Sequence, residues 1–178
     1  MDLRKPIRNL VLIGFMGSGK SSVGREIARR WDFRFFDTDS LIRHKHGKTI
    51  PEIFSTCGEA TFRKEEHLVL KRFQYSRGIV LATGGGIVTQ PRNLPLLRQL
   101  GVIVWLVADE ETTWLRVHRN PTRPLLQTDN PRETIRKLLA ERAPLYQSIA
   151  DLTIDSTGLS HSEVADRILS CLQNSVDY

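Results

Sequence analysis

The chain has 178 residues, 40% of them hydrophobic and 26% charged, with a formal net charge of +6. That length and balance suit one globular domain and argue against a disordered tail or a fibrous repeat, and no apolar run approaches the roughly 20 residues of a membrane span. The basic surplus is scattered, with no run of five like charges, which makes nucleic acid the lesser reading and favours small anionic ligands, for which arginine's fork of donors is suited.

Residues 9–13, Asn-Leu-Val-Leu-Ile, are a compact aliphatic run leading into glycines, the pattern of a strand and then a loop. Over 21–31, Val23, Ile27 and Trp31 recur at helical spacing with Arg25, Arg29 and Arg30 outside them,. Residues 34–37 predict a second short strand that ends in acid, and 40–45 and 51–57 predict short helices around a turn at Gly47. A longer helix is expected over 59–74, with Phe62, Leu68, Leu70 and Phe73 as its apolar side. A buried strand at 78–83 runs into Gly84-Gly85-Gly86. A helix at 91–100, a strand at 101–107, a helix at 110–117, a loop at 120–124, a helix at 131–146, a strand at 150–155 and a closing helix at 160–172 complete the series. Strands without polar alternation, separated by helices, imply a parallel sheet covered on both faces. With no repeat or linker, the expectation is a single three-layer α/β domain over 1–178,.

Gly14-Phe-Met-Gly17-Ser-Gly19-Lys20-Ser21 matches G-x-x-x-x-G-K-[ST] between a predicted strand and a predicted helix, the context this phosphate-binding motif requires,. Glycines let successive backbone N–H groups point at phosphate oxygens, with the positive end of a helix behind them. Lys20 can reach the β- and γ-phosphates, and the Ser21 hydroxyl can ligate Mg²⁺,. The glycine order is not that of a dinucleotide site, and a lysine follows directly.

The base-reading N-K-x-D of GTPases is absent, and the strand at 79–83 ends in glycines where many ATPases carry an acid,. Acids follow the second strand instead, as Asp37-Thr38-Asp39, at the sheet edge where ligands bind in such folds,. One can serve Mg²⁺ through water while the other faces an acceptor hydroxyl. The plainer alternative is a helix N-cap beside a solvated acid. Gly84-Gly85-Gly86 offers bare backbone for close approach of a ligand, or simply a tight turn,. Arg63 can point into the same cleft, held by Glu66 three residues on, and Arg142 lies near the end of a late helix,. A lone helical arginine is usually a solvated charge, so neither stands out on spacing alone.

Taken together, Asp37-Thr-Asp39, Gly58-Glu-x-x-Phe62-Arg63-x-x-Glu66, the triple glycine, Arg123-Pro-Leu-Leu126 and Glu141-Arg142-x-Pro144-x-Tyr146 resemble the shikimate kinase family, over nearly the whole chain. The resemblance implies a P-loop domain of nucleoside-monophosphate-kinase type, with a five-stranded parallel sheet flanked by helices and a short lid at about 112–126. It implies transfer of the γ-phosphoryl of ATP to the 3-hydroxyl of shikimate, on the route to aromatic amino acids, with one Mg²⁺ held near Ser21 and Asp37. Gly17, Ser18, Gly19, Lys20, Ser21 and Ser22 would then hold ATP, with Arg116 or Arg119 beside adenine. Asp39 would meet the acceptor hydroxyls, Arg63 and Arg142 its carboxylate, and the backbone of Gly84, Gly85 and Gly86 its ring. Lys20 and Arg123 would stabilise charge on the phosphoryl group in flight, which with Asp39 makes the expected catalytic set.

ATP and shikimate are the expected partners, with no nucleic acid and no membrane, and the family usually works as a monomer. Cys57 and Cys171 fall in no metal-ligand or redox spacing, and the opening residues lack the core of a signal peptide,. The chain therefore reads as cytoplasmic. A kinase for gluconate or a nucleotide on the same fold, and an ATP-switched nucleic-acid-binding module, are the competing readings.

Overall fold

The computed structural model describes residues 7–118 and 128–173. Five strands form the sheet: β1 (Asn9–Ile13), β2 (Arg34–Asp37), β3 (Ile79–Ala82), β4 (Val102–Val107) and β5 (Leu152–Asp155). All pair in parallel, in the order β2-β3-β1-β4-β5. Between them run α1 (Lys20–Trp31), α2 (Thr38–His46), α3 (Ile50–Phe73), α4 (Leu94–Leu100), α5 (Glu110–Val117), α6 (Pro131–Gln147) and α7 (His161–Gln173). None of the described helices is long and apolar enough to cross a membrane.

Alternate residues of the central strand feed two cores. Leu10 and Leu12 pack with Val23 and Ile27 of α1 and with Val164, Ile168 and Leu172 of α7. Val11 and Ile13 point the other way, to Leu70 and Phe73 of α3, Leu97 and Leu100 of α4, and Tyr146 of α6. Burial on both faces is why β1 is apolar at four consecutive positions,. A third cluster, Phe15, Met16, Val117 and Ile135, sits under one flank of the loop after β1. A fourth, Ile42, Ile53 and Phe62, joins α2 to α3 on the opposite flank.

The strand register brings the functional loops together. Leu12 pairs with Ala82, and Ala82 with Asp37, so the loops after β1, β3 and β2 open side by side at the carboxyl edge. Such an edge is where open α/β sheets bind ligands.

Three expectations are refined. The helices expected at 51–57 and 59–74 hydrogen-bond as one element, broken at Gly58, whose φ of 79° and ψ of 158° no helical residue adopts. Thr49 and Glu52 form a reciprocal capping box at its start,. Leu68 does not belong to its apolar side: it is 41% exposed, because the buried stripe runs through Phe62, Glu66, Leu70 and Phe73 at steps of three and four,. The helix expected at 91–100 starts as a 3₁₀ turn, Pro91–Asn93, and becomes α4 only at Leu94. Residues 112–117 of the expected lid belong to α5, with Thr113 and Val117 buried. The loop expected at 120–124 lies outside the described residues.

Candidate functional site

Gly19 ends the loop after β1, and α1 begins at Lys20. The Lys20 side chain folds back over the loop, its Nζ donating to the carbonyls of Gly14 (2.8 Å) and Phe15 (2.6 Å), and is only 8% exposed. Ser18 is buried inside the turn, with its hydroxyl 3.3 Å from Lys20 Nζ. Ser21 Oγ donates to Asp37 Oδ2 at 2.5 Å, while Asp37 Oδ1 accepts from the Ser40 N–H at 2.9 Å. Asp37 is therefore both the N-cap of α2 and the carboxylate beside the loop serine, so the two readings of the acidic pair meet in one residue. A hydroxyl and a carboxylate oxygen this close, at a phosphate loop, are the hard donors Mg²⁺ takes when phosphates and water complete its shell.

Over the loop lies a cavity of about 280 Å³, with Gly17, Gly19, Lys20, Ser21, Ser22 and Asp37 in its wall. Arg116, on α5, closes one side: its Nη1 donates to Gly17 O (3.1 Å) and its Nη2 to Ser156 O (3.0 Å). Arg119 and Arg123, the other arginines expected here, lie outside the described residues.

A second cavity opens beside the first, with Asp39, Arg63, Glu66, Gly84, Gly85, Gly86 and Arg142 in its wall and Met16, Ile50, Phe54 and Phe62 as its apolar part. Arg63 is held from its own helix. Nη1 donates to Glu66 Oε2 (2.8 Å), and Nε and Nη2 donate to Glu59 Oε1 (3.0 and 2.8 Å). Glu66 is fully buried, and its Oε1 has no hydrogen-bond partner among the described residues. Burial pushes its carboxyl up to about 7; Arg63 pulls against that and the nearby Asp39 charge adds to it,. Arg142 Nη1 donates to Gly85 O at 3.3 Å. The Tyr146 hydroxyl donates to the same carbonyl, and burial pushes that hydroxyl up to about 12.

None of the three consecutive glycines lies in the left-handed region, so the turn alone does not demand them. Space does. A Cβ on Gly84 would lie 2.5 Å from Asp39 Oδ1 and 2.9 Å from Glu66 Oε1, and one on Gly86 would lie 2.7 Å from Arg63 Nη2. Gly85 runs against the phosphate loop, where a Cβ would meet Met16 N at 3.3 Å. The bare backbone makes room for the charged side chains of the cleft as well as for whatever binds there.

The structure thus gathers Asp39, Arg63, Arg142 and the triple glycine in one cavity and Lys20, Ser21, Asp37 and Arg116 in the adjoining one. Glu59 stood in the motif around Arg63, but its role as that arginine's partner, four residues away at ion-pair spacing, was not read from the sequence, and neither was the apolar wall of Ile50 and Phe54. Sequence reasoning also missed His161, at the start of α7, which lines the cavity over the phosphate loop.

The model of the shikimate kinase family matches residues 16–173. A shikimate kinase of Thermodesulfovibrio yellowstonii is 44% identical over 163 residues, 92% of this chain and 94% of the relative. The solved structure of shikimate kinase from Acinetobacter baumannii in complex with shikimate superposes with a TM-score of 0.93 at 39% identity, covering 97% of this chain and 96% of the other. A gluconokinase from Sinorhizobium meliloti, at 18% identity and a TM-score of 0.59 over 96% of this chain and 94% of its own, shares the fold alone.

Proposed function

The chain belongs to the shikimate kinase family, and we propose that it transfers the γ-phosphoryl group of ATP to the 3-hydroxyl of shikimate through the residues of these two cavities. The observation that carries this reading is the common wall: Met16, Asp39 and Gly85 line both cavities. A phosphate anchored by the loop and a hydroxyl held at Asp39 are therefore neighbours, and in-line transfer needs little beyond such positioning and charge neutralisation.

Arg63 and Arg142 grip the acceptor's carboxylate, for which a planar guanidinium supplies parallel donors. Ile50, Phe54 and Phe62 cover the ring. Asp39 orients the 3-hydroxyl and takes its proton late, as the oxygen bonds to the γ-phosphorus and the bond to the ADP oxygen breaks. Lys20 stabilises the charge spread over the phosphoryl oxygens, and Arg123, assigned from its motif, does the same from the lid. Ser21 and Asp37 would hold Mg²⁺, which supplies charge neutralisation on the nucleotide's phosphates when bound. One chain carries all of these groups, and the monomer is the proposed working unit.

A coupled ADP-release assay with Mg-ATP tests the reading, run with shikimate, with gluconate and with neither. Release that depends on shikimate is expected. Turnover of gluconate in its place, or release indifferent to either, would overturn the acceptor assignment.

A further inference from the structure

The inward stripe of α6 runs through Ile135, Leu139, Arg142 and Tyr146 at steps of three and four, so Arg142 takes a place that an apolar side chain would otherwise fill,. It is buried there, at 7% exposure. Arg63, in the same cavity, is held by two glutamates, whereas Arg142 makes no ion pair among the described residues. Its guanidinium lies instead over the ring of Phe15, with Cζ 5.6 Å from the ring centroid.

Phe15 belongs to the loop after β1 and is fixed from both its backbone and its ring. Its carbonyl accepts from Lys20 Nζ (2.6 Å) and from the Ser18 N–H (3.3 Å). Its ring is buried with Met16, Val117 of α5 and Ile135 of α6. A ring face attracts a cation through its quadrupole and carries no net charge. A carboxylate in that place would occupy the guanidinium's N–H donors and neutralise the charge that an acidic acceptor needs. The ring holds the cation and leaves the donors not given to Gly85 O to the cavity. We propose that Phe15 is a positioning residue for the acceptor, its ring holding Arg142 at the cavity wall with charge and N–H donors still available. The role rests on the reading of Arg142 as a clamp for the acceptor's carboxylate.

Replacing Phe15 with mono-, di- and trifluorophenylalanine withdraws electron density from the ring face at nearly constant shape. The KM for shikimate should rise stepwise, to about fivefold in the trifluoro chain, as the cation–π attraction fades. Both kcat and the KM for ATP should stay within about twofold, because the packing under the phosphate loop is kept. Phe15→Leu removes the face altogether and should raise the KM for shikimate at least as far, yet add nothing in an Arg142→Ala background. A flat KM for shikimate across the fluorinated series would overturn the inference. So would a parallel rise in the KM for ATP, which would make the ring a support of the phosphate loop alone, or full additivity of Phe15→Leu with Arg142→Ala. A wild-type chain indifferent to shikimate would overturn the clamp reading, and the inference with it; a shikimate-dependent wild type with a flat series overturns the inference alone.

Discussion

Gly86→Ala adds one carbon to the acceptor cavity and should act at a distance, through Arg63. The backbone at Gly86, φ −96° and ψ 2°, is one that alanine adopts without strain,. The added carbon, however, would sit 2.7 Å from Arg63 Nη2 and 2.8 Å from Cζ. Carbon contacts settle near 3.5 Å or beyond, so the guanidinium must retreat by about 1 Å. The guanidinium is the far end of a long side chain, and its retreat pulls it from Glu66 and from an acceptor carboxylate. Losing one charged hydrogen bond of the clamp, about 2 kcal/mol, corresponds to a rise of roughly 30-fold in the KM for shikimate. The KM for ATP should stay within about twofold, since the phosphate loop is untouched. Steady-state rates with each substrate varied in turn give both constants. A double variant with Arg63→Ala supplies the control: if Gly86→Ala works through Arg63, the pair should be no worse than Arg63→Ala alone. An unchanged KM for shikimate, or full additivity in the double variant, would refute the steric argument.

Other perturbations probe the neighbouring groups. The Glu66 carboxyl stands at about 7 in the fold against an ordinary 4.5. Between those values the folded chain keeps a proton that the unfolded chain has released, so stability should fall by up to about 3 kcal/mol as pH rises through that window. Urea midpoints at pH 5 and pH 8 should drop more for the wild type than for Glu66→Gln, and parallel profiles would contradict the raised value. Tyr146→Phe removes a donor from Gly85 O and leaves that carbonyl to Arg142; a loss of about 1 kcal/mol in urea unfolding is expected, and none would mean the hydroxyl bond is idle. Asp39→Asn should lower kcat by about 100-fold or more while ADP affinity is kept, and a near-wild-type rate would remove Asp39 from the chemistry.

The parts legible in the sequence are those whose cause is local. The phosphate loop is one contiguous motif, and the inner strands β1, β3 and β4 announce themselves because burial on both faces leaves them almost continuously apolar. Gly58 was readable as a break between two helical runs, and the structure puts its non-helical backbone there. What stayed hidden depends on residues far apart in the chain. The need for glycine at 84 and 86 comes from Asp39, Glu66 and Arg63, brought in by other elements. Arg142 looked like any helical arginine until Gly85, 57 residues away, appeared beside it. Leu68 misled because hydrophobicity was counted without phase: the stripe it was assigned to passes instead through a buried glutamate, which no apolar pattern reveals.

The wall that the two cavities share also bears on inhibition. Met16, Asp39 and Gly85 line both, so a single molecule joining an adenosine phosphate to a cyclic polyol acid through a short bridge could occupy both. Tethering would turn the second docking event into an intramolecular one, at an effective concentration in the millimolar range for a linker of about the right span. Such a bisubstrate compound would gain selectivity over the many enzymes that recognise only its nucleotide half.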